Sequence, residues 1–254
     1  MKIFDREGLE GLFRALHILA GITWIGLLYF FNVVQVPAYA GYGDEAKARN
    51  LALHNVTRRA LWWFRWAAIA TLVMGILLLG VIKDYMKDFM TTNGGNLRGI
   101  AGNAAILVGM LLGITMAANV WMVIWKNQKV VLANAANVLN GGDADPAAAG
   151  SARRALLASR ANFVFSFSML WFMVGAAHVY PKVFIGDSAG KAWTFVILAI
   201  VIAGAIELLA LGKIGGTAPT NKLLWPFESH KNAIITGGCL FVVLEILTEI
   251  LLRR

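Results

Sequence analysis

Apolar residues gather along this chain in long unbroken blocks, with polar residues confined mostly to the intervals. Six blocks stand out: Phe13 to Val36, Leu61 to Ile82, Ile100 to Trp125, Asn162 to Tyr180, Ala192 to Leu211 and Ala233 to Leu252. Each has roughly the 20 residues that a helix needs to cross a hydrocarbon core. A strand of a closed barrel would alternate between apolar and polar positions, and these blocks do not, so helices are expected. The pattern predicts an all-α integral membrane protein, a bundle of about six transmembrane helices forming one domain over 1–254. An even number of spans puts both termini on one side.

The polar intervals predict the connections. The longest, Lys126 to Ala161, contains Gly141-Gly142-Asp143-Ala144-Asp145-Pro146, a strong loop signal. Its Ala/Asn-rich and Ala/Arg-rich flanks predict that the helices on either side extend past the membrane. A second loop, Gly212 to Lys231, holds Gly215-Gly216, Pro219 and Pro226. After the first block, Ala38-Tyr39-Ala40 resembles a signal-peptide cleavage site. The block exceeds the roughly 7–15 residues of a signal hydrophobic region, so it is expected to remain as the first helix.

Composition agrees with this reading. Of 254 residues, 59% are apolar and 15% charged, against about 45–50% and about 25% in soluble domains. A soluble globular domain is excluded. Nine Trp and 14 Phe suffice for aromatic belts at both water boundaries. The net charge of +9 does not mark a nucleic-acid binder, because the basic residues fall mostly between the apolar blocks, where they meet lipid headgroups. A marginal excess of Lys and Arg on the side opposite the termini places the termini on the periplasmic side of a bacterial inner membrane. The single cysteine, Cys239, excludes a disulfide framework, a cysteine-based zinc site and a thioether-attached haem.

Four histidines sort into two pairs. His17 lies just inside the first helix and His178 just before the end of the fourth, at similar depth on the terminal side. The first helix reads His17-x3-Gly21-x2-Trp24 and the fourth reads Trp171-x3-Gly175-x2-His178, each the reverse of the other. Spacings of three, four and seven share one helix face. Glycine clears room for a porphyrin, and neutral imidazole is an axial haem ligand. His17 and His178 are therefore candidate ligands of the iron of one haem b, with Gly21, Gly175, Trp24 and Trp171 around it. The alternative is ordinary helix packing and hydrogen bonding. His54 and His230 lie at the opposite side, with Arg58 and Arg59 suited to propionates or headgroups. They either hold a second haem or are ordinary loop histidines, and Ser229 is a plausible N-cap for the last helix.

Charges inside a membrane are costly and carry a functional prior. Arg65 and Glu207 approach the same side and are expected to pair, directly or through water. Glu245 and Glu249, one turn apart on the last helix, either carry protons or bind a quinol hydroxyl, or Glu249 snorkels to the headgroups. Asn32 and Asn119 approach the side away from the termini and are expected to hydrogen-bond across helices rather than contact a ligand.

The stretch His17-Ile18-Leu19-Ala20-Gly21-Ile22-Thr23-Trp24-Ile25-Gly26-Leu27-Leu28-Tyr29-Phe30-Phe31-Asn32 resembles the start of the membrane domain of bacterial cytochrome-c-fused urate oxidases (urate hydroxylases). Ala60-Leu61-Trp62-Trp63-Phe64-Arg65-Trp66, Asn119-Val120-Trp121, Ile124-Trp125-Lys126-Asn127-Gln128 and Arg160-Ala161-Asn162 are similar too. More distantly, His17-x6-Trp24-x-Gly26 resembles the first helix of membrane haem proteins of the protoporphyrinogen oxidase type. The resemblance implies a membrane oxidoreductase passing electrons from a substrate or quinol through haem b to a cytochrome. This sequence has no CxxCH motif, so the cytochrome c, or another redox subunit, is expected to be a separate polypeptide. The competing functions are a cofactor-free anchor of a respiratory complex and a small transporter. Self-association into a homo-oligomer stays open.

Overall fold

A computed structural model describes residues 2–81, 99–184 and 188–253. Six helices are long and apolar enough to cross a membrane: α1 (Arg6–Ala40), α2 (Ala46–Val81), α3 (Gly99–Leu139), α4 (Ala147–His178), α5 (Ala189–Ala210) and α6 (His230–Leu251). There is no strand among the described residues. Each apolar block predicted from the sequence falls on one of these helices, with the fourth, fifth and sixth blocks overrunning their helix ends by one or two residues and Ile82 lying outside the described residues. The expected extensions are present. α3 runs to Leu139 and α4 begins at Ala147, which leaves only Asn140 to Pro146 of the predicted long loop as a turn.

Position in the bundle follows polarity. α4 has the lowest mean hydropathy of the six, 1.3, yet 67% of its apolar window is buried; α5 has the highest, 2.3, with 22% buried. α4 carries Arg160, Asn162, Ser166 and Ser168, all buried. Facing lipid, those groups would have no partners, so the helix that bears them is the one that α3, α5 and α6 surround. α1 packs chiefly along α2. Close approach is secured by glycine. A Cβ on Gly109 of α3 would stand 3.2 Å from the Met173 amide nitrogen of α4, and one on Gly237 of α6 would stand 2.8 Å from the Phe167 ring.

Three helices are locally widened into π turns, at Phe30–Gln35, Leu53–Thr57 and Asn119–Ile124. All three lie toward the end of the bundle away from the termini. The first has a visible cause. Pro37 has no amide hydrogen, and its ring crowds the carbonyl four residues back, that of Val33, inside the widened turn.

Candidate functional site

At the terminal end, His17 turns toward α2. Its Nδ1 is 2.8 Å from the carbonyl oxygen of Thr71. A carbonyl only accepts, so Nδ1 carries the proton and Nε2 the lone pair. One turn further along α2, a Cβ on Gly75 would come within 3.2 Å of the His17 ring, so glycine there makes room for the imidazole. Gly21 lies on the same side, 4.0 Å from the Thr71 methyl by the same construction. Trp24, 2% exposed, has an indole Nε1 with no hydrogen-bond partner among the described residues.

The matching stripe on α4 meets other neighbours. His178 is exposed at the last position of the helix. A Cβ on Gly175 would stand 2.8 Å from the ring of Tyr180, so that ring fills the clearance which the sequence suggested for a porphyrin. Trp171 Nε1 donates to Glu245 Oε1 at 2.8 Å and to the Tyr180 hydroxyl at 3.1 Å. The Tyr180 hydroxyl donates to the same Glu245 oxygen. Tyr180 is fully buried, its ring stacked on Phe172 and Phe184. The structure thus joins Glu245 with Trp171, two residues that the sequence singled out separately, through a tyrosine that it did not. Glu249 turns outward to Arg253 at 3.0 Å, the headgroup-side arrangement of the snorkelling alternative.

Arg65 and Glu207 find separate partners. Among the described residues the ion pairs are Arg14–Glu10, Arg153–Glu228 and Arg253–Glu249, so the expected direct pair is absent. The Arg65 guanidinium lies 3.3 Å from the ring centroid of Trp125 and 5.5 Å from that of Trp121. Two indole faces offer a desolvated cation substantial attraction without a carboxylate. Glu207 Oε2 accepts from Asn119 Nδ2, which also reaches Asn162 Oδ1, both at 2.9 Å. Asn162 Nδ2 in turn donates to the Met116 carbonyl. Asn119 does hydrogen-bond across helices, as expected, and so does Asn32, whose Nδ2 donates to Ser159 Oγ at 2.9 Å. Trp125 and Asn162 entered the sequence reading as block ends and as parts of a resemblance, not as site residues. Their signal was aromatic and amide residues at the ends of apolar blocks.

At the loop end, His54 sits half-buried in the second π turn, with Arg58 and Arg59 exposed just beyond it. His230 opens α6, where the Ser229 hydroxyl accepts from the Asn232 amide at 3.0 Å, the cap that the sequence suggested. A cavity of about 540 Å³ lies at this end. All three π turns contribute to it: Phe31, Asn32 and Gln35 from the first, Leu53 and Thr57 from the second, Ile124 from the third. Wide turns of this kind concentrate at functional sites. Of its lining residues the sequence offered Asn32 alone, and that for a hydrogen bond across helices.

No curated protein and no solved structure matches this chain. Residues 90–209 match the family model for the urate oxidase N-terminal region. That stretch includes Asn119, Asn162, Trp171, Gly175, His178, Tyr180 and Glu207, whereas His17, Arg65 and Glu245 lie outside it. This stretch is therefore similar to the urate oxidase N-terminal region, in a chain whose described residues hold helices and no strand.

Proposed function

We propose that this protein is a membrane oxidoreductase module of the urate-oxidising type, holding a haem b through His17 and passing electrons to a separate cytochrome or other redox subunit. The match of residues 90–209 carries the substrate class. The His17 environment supports the cofactor. A metal-ligating histidine characteristically donates its other ring nitrogen to a carbonyl or carboxylate, which fixes the tautomer and the ring plane. The Thr71 carbonyl does this for His17 and leaves Nε2 available. Trp24 Nε1, buried two turns along without an acceptor among the described residues, is a further donor available to such a group. His178 would be the second histidine to hold it. A haem held there supplies one-electron redox chemistry, with its potential set by axial ligands and burial. The chain contributes the imidazole of His17, oriented by the Thr71 carbonyl, and the buried indole of Trp24.

One observation favours the second reading, a cofactor-free membrane subunit: Tyr180 fills the space beside Gly175. Visible spectra of the purified protein, oxidised and then dithionite-reduced, separate the two. The proposal expects a low-spin b-type spectrum that His17→Ala abolishes and His178→Ala abolishes or converts to high spin. A protein expressed with ample haem that shows no Soret absorbance supports the subunit reading instead. A haem spectrum unchanged in both variants overturns the ligand assignment.

A further inference from the structure

We infer that the cavity at the loop end is the binding site for the substrate, a small planar heterocycle rich in N–H groups and negatively charged, of the cyclic-ureide or oxidised-purine class. The choice of urate as probe rests on the proposed function; the location and the hydrogen-bond chemistry rest on the cavity. Its volume of about 540 Å³ lies within the roughly 300–1,000 Å³ typical of small-molecule sites. Phe31 and Phe64 meet edge to face, centroids 5.3 Å apart, and line it together with apolar Leu53, Leu61 and Ile124. Such walls suit a flat ring.

The polar groups define which ring. Thr57 donates to Gln35 Oε1 at 3.0 Å, so the Tyr39 hydroxyl, 2.8 Å away, donates to Thr57. That relay is satisfied within the protein. Two carbonyl oxygens are not: Asn32 Oδ1 and Gln128 Oε1 are buried and lack hydrogen-bond partners among the described residues. Asn32 cannot exchange its amide ends freely, because its Nδ2 is held by the Leu28 carbonyl at 2.9 Å and by Ser159 Oγ. Its oxygen is therefore the end left over, in a residue 1% exposed. A buried acceptor without a donor costs about 1–3 kcal/mol; both side chains line the cavity, and a ligand bearing N–H groups removes that cost once a small turn of either side chain brings its oxygen to the cavity surface. A quinone has carbonyl acceptors only and leaves both oxygens unmatched. Arg49 lines the rim and is the cation available to an anion. The one carboxylate in the lining, Asp145, accepts from the Ala147 amide at 2.8 Å.

The test is calorimetric titration of the protein in lipid nanodiscs with urate and, separately, with a short-chain ubiquinone. Variants are Gln128→Leu, which removes one unmatched acceptor, Arg49→Gln, which removes the cation, and Ala148→Phe, which fills the cavity from α4. The inference expects urate to bind and each variant to weaken it by about tenfold or more, the equivalent of one lost hydrogen bond or charge contact, with unchanged melting temperatures. Urate bound equally by all three variants overturns the cavity as its site and leaves the urate reading standing. A quinone whose binding the variants abolish overturns the ligand class. Absence of urate binding beside an intact His17-dependent haem spectrum overturns this inference without touching the cofactor.

Discussion

At the end of the bundle that carries the termini, Glu245 is closed in by Trp171 and Tyr180, and Tyr180 by Phe172 and Phe184. At the opposite end, widened turns in α1, α2 and α3 surround an open cavity where two amide carbonyls have no donor among the described residues. Both ends hold polar groups that lipid would not tolerate alone. The terminal end pairs its acceptor with two donors from the same chain; the loop end leaves acceptors over. Within a membrane protein that difference separates groups which stabilise the fold from groups which await something else.

The comparison breaks most visibly at Gly175. Replacing it with leucine drives a branched side chain into a ring already 2.8 Å from the position of the first added carbon. Overpacking of this kind costs about 1–3 kcal/mol, and the Tyr180–Glu245 bond goes with the displaced ring. A large drop in the melting temperature of the detergent-solubilised protein is expected. Ala148→Phe, at the cavity, has space to enter and is expected to leave the temperature nearly unchanged. Equal losses at the two sites would mean that the loop end is as tightly filled as the terminal end.

A smaller effect is expected at Glu245. Glu245→Leu leaves Trp171 Nε1 donating to the Tyr180 hydroxyl across 3.1 Å and only the hydroxyl's own hydrogen without an acceptor, so the loss is held to about 1–2 kcal/mol, in the range for an unmatched buried donor. Glu245→Gln keeps an acceptor oxygen and recovers most of it. If glutamine is as damaging as leucine, the carboxylate charge, and not the acceptor, is what the terminal end requires.

The spans were legible because block length and composition are local properties, and six blocks became six helices. Arg65 shows what was not legible. Its depth matched Glu207, but depth along the membrane says nothing of azimuth, and the indoles of Trp121 and Trp125 sit on the side to which Arg65 turns. The mirrored histidine stripes have the same limitation. Gly21 and His17 do share a face, as spacing required, yet that face meets α2, because Thr71 and Gly75 offer a carbonyl and a gap. The cavity was invisible for a different reason. It depends on three π turns, and only one of them has a residue, Pro37, that announces it.

The smallest effect concerns how the loop end is held together from outside. Arg153 on α4 grips Glu228 with two nitrogens, at 2.5 and 2.9 Å, and reaches the Thr217 carbonyl at 3.0 Å. Neighbouring Arg160 donates to the Phe227 carbonyl. Hydrogen bonds from Arg153 hold the Glu228 carboxyl below the usual carboxylate range, partly opposed by desolvation and helped by the charges of Arg153 and Arg160. A carboxyl whose folded pKa is depressed adds stability that is fully present above its unfolded pKa, about 4.3, and is lost as pH falls through the lower folded value. Glu228 is solvent-exposed, with about a third of its side chain accessible, so screening limits the contribution to at most about 0.5 kcal/mol. Melting temperatures of the native protein and Glu228→Gln are therefore expected to differ slightly at pH 7 and to converge as the pH is lowered below about 4. The gap should also shrink in high salt. The Trp171–Tyr180–Glu245 cluster, shielded from solvent ions, should show no such salt response when Glu245→Gln is put through the same series. A salt-independent gap at Glu228 would show that its bond to Arg153 is buried in effect, and that the loop end is sealed as firmly as the terminal one.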